Sequence, residues 1–153
     1  MCCFISQAGN QQSNYHILGG ALHPNAVDLF IRGMKTLQLR AQQQNSTGMR
    51  MAKLVEAHPK VKRVYYPGLP SHPEHELAMR QMTGFGGVVS FEIDGDLHTT
   101  TKFVDSLKIP YIAAASFGRC ESIVDQPAIL SYCFGVDDFE DLKADVLQAL
   151  EAI

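Results

Sequence analysis

The run from Gly84 to Asp94, TGFGGVVSFEIDGD with its flanks, constrains this chain more than any other stretch, because it reads as a central strand with a stop at each end. Val88, Val89, Phe91 and Ile93 are β-branched or aromatic, a glycine cluster closes the N-terminal side, and the turn Asp94-Gly95-Asp96 closes the other. A sheet must be built around it. The entry Gly84-Phe85-Gly86-Gly87 has the composition of a phosphate cradle, but a phosphate loop delivers the chain into a helix and this one delivers it into a strand. The glycines are therefore expected to mark a bulge or a close backbone approach.

The other segments arrange themselves around that strand. Residues 1–15 show no periodicity and carry Gln7, Asn10, Gln11, Gln12, Ser13 and Asn14, so a disordered or loosely packed polar arm is expected. Pro24 suits a first helical position, and Val27, Phe30, Met34 and Leu37 recur at three and four residues, with Ala52 and Val55 resuming the stripe. This predicts one long helix, or two joined near Gly48, ending at His58-Pro59. Val61 to Tyr66 reads as a short strand and Pro73 to Met82 as a short helix stopped by Gly84. Asp96 caps a helix with an apolar face of Leu97, Phe103, Val104 and Leu107, ended by Pro110. Tyr111 to Phe117 and Ile129 to Phe134 are strand candidates. In the last helix Asp137 is the expected cap, Glu140 completes a capping box, and Phe139, Leu142, Val146, Ala149, Leu150 and Ile153 share one face. The class is α+β: a small mixed or antiparallel sheet of about four strands, with helices on one face.

Composition removes several functions. At 153 residues and 46% hydrophobic, the chain can bury one core. A formal charge of -3 with 13 scattered Lys and Arg gives no nucleic-acid footprint, and no apolar run reaches the roughly 18 residues of a membrane span. The N-terminal MCCFISQAGNQQ has neither signal-peptide nor transit-peptide character, so a cytosolic location is expected. Cys2, Cys3, Cys120 and Cys133 lack zinc spacing and disulfide density, and read as reduced thiols. His72 and His75, beside Glu74 and Glu76, have the spacing of a metal pair on a helix, but a solvated helix start accounts for them and no metal site is assigned.

From His16 onward the words HILGG (16–20), RGMKTLQLR (32–40), AHPKVKRVYYPGLPSHPEHELA (57–78), QMTGFGGVVSFEIDGD (81–96) and SFGRCESIVDQPA (116–128) resemble one family. It is the family of cysteine and methionine metabolism enzymes that depend on pyridoxal phosphate, and the resemblance is to its C-terminal domain. The wording is nearest to the plant cystathionine γ-synthase branch, with the γ-lyases as nearest competitor. Residues 16–153 thus form the expected domain, behind the arm at 1–15. The resemblance implies transsulfuration in methionine biosynthesis: γ-replacement of an activated homoserine by the thiol of cysteine, with the cofactor as electron sink. Plant members act in the chloroplast.

The same resemblance implies which residues matter. The family's Schiff-base lysine lies in an S-x-T-K word, and its phosphate-binding residues lie upstream of the region matched; neither is in this chain. Ser116 matches the serine of the word S-[LF]-G-G-x-E-S that helps to hold the substrate carboxylate, though a strand-ending serine also serves as a local backbone partner. Arg119 stands where that word has its second glycine; it is either a substitute contact or, as favoured here, a solvated loop charge. Glu121 reads as a structural acceptor in the turn.

A carboxylate-binding arginine belongs to a late strand, between Pro127 and Phe134 the chain is about twenty residues short, and threading 129–135 onto that strand puts Ser131 at its place. That threading needs residues 129–134 to pair beside 111–117. Lys35, Lys53, Lys60, Lys62, Lys102, Lys108 and Lys143 lie in polar neighbourhoods, and Tyr65, Tyr66, Tyr111 and Tyr132 are expected in the core or sheet. Cys120 and Cys133 are expected to be inert. No catalytic or cofactor-binding residue is assigned, and pyridoxal phosphate is not expected to be held covalently. The chain alone is expected to be inactive; the alternative is an interaction module that self-associates or docks on a full-length cystathionine γ-synthase-like chain through exposed apolar residues of its first helix.

Overall fold

The computed structural model describes residues 22–109, 121–125 and 130–153. Contacts divide the chain into two units, 1–37 and 38–153. The arm at 1–15 and the strand expected at 111–117 lie outside the described residues.

In the first unit, α1 (Pro24–Met34) begins where the sequence places it, with His23 as N-cap and Pro24 in the first turn. No residue of α1 is buried. α2 (Leu37–Glu56) follows after Lys35 and Thr36, so the break lies there and not near Gly48. Gly33 and Thr36 explain the position: glycine weakens a helix, and the Thr36 hydroxyl donates to the Gly33 carbonyl at 3.4 Å instead of leaving that turn to the backbone alone. Gly48 has another task. It is buried inside α2, and a Cβ there would stand 2.6 Å from the Gly86 carbonyl oxygen.

The second unit continues with β1 (Val61–Tyr65), α3 (His75–Gln81), β2 (Val88–Ile93), α4 (Leu97–Ser106), β3 (Ile123–Asp125), β4 (Leu130–Cys133) and α5 (Phe139–Ala152). The sheet has the order β1-β2-β4-β3, and every neighbouring pair is antiparallel. β2 is interior, as its sequence requires, and alternates: Val89, Phe91 and Ile93 are buried while Val88 is exposed. β3 was not legible, being three residues between a polar entry and Gln126-Pro127.

One face of the sheet carries the core. Met51, Ala52 and Val55 of α2, Phe103 of α4, and Leu142, Val146, Ala149 and Leu150 of α5 pack with Val64, Val89, Phe91, Ile93 and Val124 of the strands. Phe91 and Phe103 meet edge to face at 6.0 Å. Each fully buried Leu or Phe here is worth about 1.5–3 kcal/mol of transfer free energy. Leu97, expected in the α4 stripe, is 74% exposed, because it opens the helix beyond the reach of the sheet.

Polar contacts fix the ends of these elements. Asp96 caps α4 by accepting the Thr99 N–H at 2.9 Å. α5 is capped by Asp138, which accepts the N–H of Glu140 at 2.8 Å, and not by Asp137, whose carboxylate is engaged elsewhere. The buried Asp145 accepts the backbone N–H groups of Lys108 and Ile109, holding the exit of α4 against α5. Lys60 reaches across to α5, donating from Nζ to the Leu150 carbonyl at 2.9 Å at the negative end of that helix. α3 starts at His75, two residues after Pro73, and its chain ends in an extended Met82 before Gly84 is reached.

Three His-Pro-X turns recur: His23-Pro24-Asn25, His58-Pro59-Lys60 and His72-Pro73-Glu74. In each, proline has no N–H, so the first free donor is that of residue X, and it is taken by the histidine Nδ1 at 3.2, 3.3 and 3.1 Å respectively. Because a backbone N–H can only donate, each of these rings carries its proton on Nε2.

Candidate functional site at one end of the sheet

The strand register brings Val88 of β2, Cys133 of β4 and Ile123 of β3 side by side, so the start of β2, the end of β4 and the start of β3 meet at one end of the sheet. The word that contains Ser116 and Arg119 enters the sheet here, since Glu121 and Ser122 immediately precede β3. Ser116, Arg119, Cys120 and Tyr111 themselves lie outside the described residues.

Ser122 is the anchor of this end. It is buried; its N–H and its hydroxyl both donate to Asp137 Oδ2, at 2.8 and 2.6 Å, and its oxygen accepts the Gly135 N–H at 3.1 Å. One side chain thus ties the entry of β3 to the turn between β4 and α5, and the Ser122 N–H, the Ser122 hydroxyl and the Gly135 N–H all find an acceptor. The sequence reading missed this contact because it assigned Asp137 to the helix cap. The available signal was the pair of adjacent aspartates: only one can cap α5.

The glycine entry packs against the same end. Gly86 is in the left-handed region, φ 79°, its N–H donates to Asn45 Oδ1 at 2.6 Å, and its carbonyl accepts the Tyr66 hydroxyl at 2.8 Å. At Gly87 a Cβ would lie 2.7 Å from the Phe134 carbonyl oxygen, and the Gly87 carbonyl accepts the Phe134 N–H at 2.8 Å. The glycines serve close approach of backbone between α2, β2 and β4, the role expected for them. Tyr66 is fully buried beneath this loop, and burial pushes its phenol up to about 12.

The remaining sequence candidates fall elsewhere. Among the described residues β4 pairs with β2 and β3; the pairing of 129–134 beside 111–117, on which the placement of Ser131 depended, involves residues outside the described ones. Tyr65 sits on the opposite sheet face from Tyr66 and donates to Glu92 Oε1 at 2.6 Å, a bond that raises its pKa. His72 holds its proton on Nε2, while His75 Nδ1 faces the Pro67 carbonyl at 2.9 Å and donates to it, so the two rings present opposite tautomers and cannot both ligate through Nε2. All seven lysines are described, and none is buried. Among the described residues, no group of three metal-ligating side chains occurs, and no helix is long and apolar enough to cross a membrane.

Comparison with known proteins sets this geometry in context. The family model described as Cys/Met metabolism PLP-dependent enzyme matches residues 3–133. Cystathionine gamma-synthase 1, chloroplastic, of Arabidopsis thaliana is 65% identical over 173 residues, covering 100% of this chain and 31% of that protein. The protein of the same name from Nicotiana tabacum is 67% identical, covering 91% of this chain and 29% of its own length. Cystathionine gamma-lyase of Sus scrofa is 40% identical over 84% of this chain. The chain therefore spans about 30% of the length of these two plant relatives. The Arabidopsis alignment runs over 173 residues against the 153 of this chain, a difference of 20, which agrees with the shortening read from the sequence.

Proposed function

The chain belongs to the Cys/Met metabolism PLP-dependent enzyme family, whose cofactor is pyridoxal phosphate, and on that premise we propose that these residues are a cystathionine γ-synthase-like small domain that does not catalyse γ-replacement by itself. One observation carries the reading: no lysine here is suited to hold the cofactor. A Schiff-base lysine needs an amine kept partly neutral, by burial or by a neighbouring cation. All seven lysines are exposed or half-buried. Lys60 is spent on the end of α5, and Lys143 lies 3.2 Å from Glu140. The residues present do not fit covalent attachment, so no step through the cofactor is derived for this chain.

What the domain offers is a prepared end of the sheet. Ser122, three residues after Arg119 in the chain and fastened to Asp137 and Gly135, fixes the start of β3. In this proposal the segment before it supplies the small domain's side of a carboxylate site, with Ser116 as the contact and Arg119 beside it. The test is the visible absorbance of the purified chain with pyridoxal phosphate, followed by borohydride reduction and mass mapping. No saturable band and no single modified lysine are expected; a stoichiometric adduct at one lysine would overturn the proposal.

A second reading, a docking module for another copy or a full-length relative, is favoured by α1. Val27, Phe30, Ile31 and Met34 recur at helical spacing and all are exposed, Phe30 and Met34 by more than 60%. Light scattering over a concentration series tests it, and a monodisperse monomer at high concentration would count against it.

A further inference from the structure

At the outer edge of the sheet a cavity of about 190 Å³ is lined by Glu56, Val61, Lys62, Arg63, Val64 and Ser71. β1 is an edge strand, with β2 on one side and no strand on the other among the described residues. The wall facing it is the last residue of α2, Glu56, held in place by the Ser71 hydroxyl, which donates to Glu56 Oε1. Arg63 is oriented from the strand side, its guanidinium 4.7 Å from the centre of the Tyr65 ring.

The charges of this cavity are out of balance with one another. Among the described residues the ion pairs are Arg50 with Glu140 and Lys143 with Glu140; Glu56 and Lys62 form none, whereas Arg63 is turned to Tyr65 and stands opposite Glu92 in the strand register. A carboxylate, Glu56, and a cation, Lys62, therefore share one small space while standing too far apart to pair. Glu56 is also placed where a helix disfavours it, at the negative end of α2. A cation arriving at that wall meets both the carboxylate and the α2 carbonyl end, and an anion arriving at the other wall meets Lys62.

We propose that this cavity binds a small zwitterion, an α-amino acid, with its ammonium on Glu56 and its carboxylate on Lys62. One molecule then completes both unpaired ends, which neither a simple anion nor a simple cation does. The volume is below the range of about 300–1,000 Å³ usual for drug-sized ligands, which limits the occupant to a short side chain. Lysine and arginine on an edge strand also discourage strand addition. That role alone gives no reason for an acidic residue opposite them.

The experiment is isothermal titration of the full 153-residue chain with L-serine at low salt, beside acetate and methylammonium as its two halves. Saturable binding of L-serine alone is expected, with amide shifts in NMR confined to the residues around 61–64 and 71. Glu56→Gln and Lys62→Gln should each weaken it at least fivefold, with circular dichroism and thermal midpoint unchanged. Absence of saturable binding would overturn the proposal. So would acetate binding as tightly as L-serine, or folded variants that bind like the parent chain.

Discussion

α1 and α5 are both amphipathic and both capped by a side chain at the N-terminus, yet they end in opposite environments. α5 turns Leu142, Val146, Ala149 and Leu150 into the core, each 1% exposed or less. α1 carries a comparable stripe in Val27, Phe30, Ile31 and Met34 and buries none of it. Periodicity states that a face is apolar; only the surrounding chain decides whether that face is answered. In α5 the answer comes from residues distant in sequence, Met51 and Val55 of α2 and Phe91 of β2.

The sharpest break in that comparison is truncation of the two stripes. Leu142→Ala leaves a cavity in a packed core and should cost about 3–4 kcal/mol in urea unfolding. A cost under about 1 kcal/mol would mean that α5 is not integral to the core. Next comes the alkaline limb. With Tyr66 pushed up to about 12 in the folded state against 10.0 unfolded, the unfolded chain ionises first as pH rises. Its contribution is complete below pH 10 and is lost between pH 10 and 12, on the order of 2–3 kcal/mol in all. Tyr66→Phe should remove that limb from stability measured against pH.

The caps come third. Asp138→Ala should lower global stability by about 1 kcal/mol because α5 is part of the core, whereas His23→Ala should leave the unfolding midpoint unchanged and only fray α1 in amide exchange. Smallest is Phe30→Ala, expected to stay within about 0.5 kcal/mol. A larger loss would show that its ring is covered within the chain.

Much of this fold was legible. The strand at 88–93, the stripe of α5 and the Asp96 cap follow from local chemistry, and each was read correctly from side-chain type and spacing. The failures share a cause: they depend on what meets a residue from afar. Gly48 looked like a helix break because its partner, the Gly86 carbonyl, is 38 positions away. Asp137 looked like a cap because its donor, Ser122, stands just before a strand of three residues that has no pattern of its own. The site words at 116 and 119 came from resemblance to a family, whereas the anchor at Ser122 came from hydrogen bonds that no motif records.

The bond from Lys60 to the end of α5 joins positions 90 apart, and Met51 and Val55 likewise wait for Leu142 and Val146. During vectorial synthesis, a nascent chain that has reached residue 138 holds the sheet and α2 but no lid for them. Its apolar face stays open until some fourteen more residues leave the ribosome. The interval before α5 emerges is when a chaperone has most to gain from this chain.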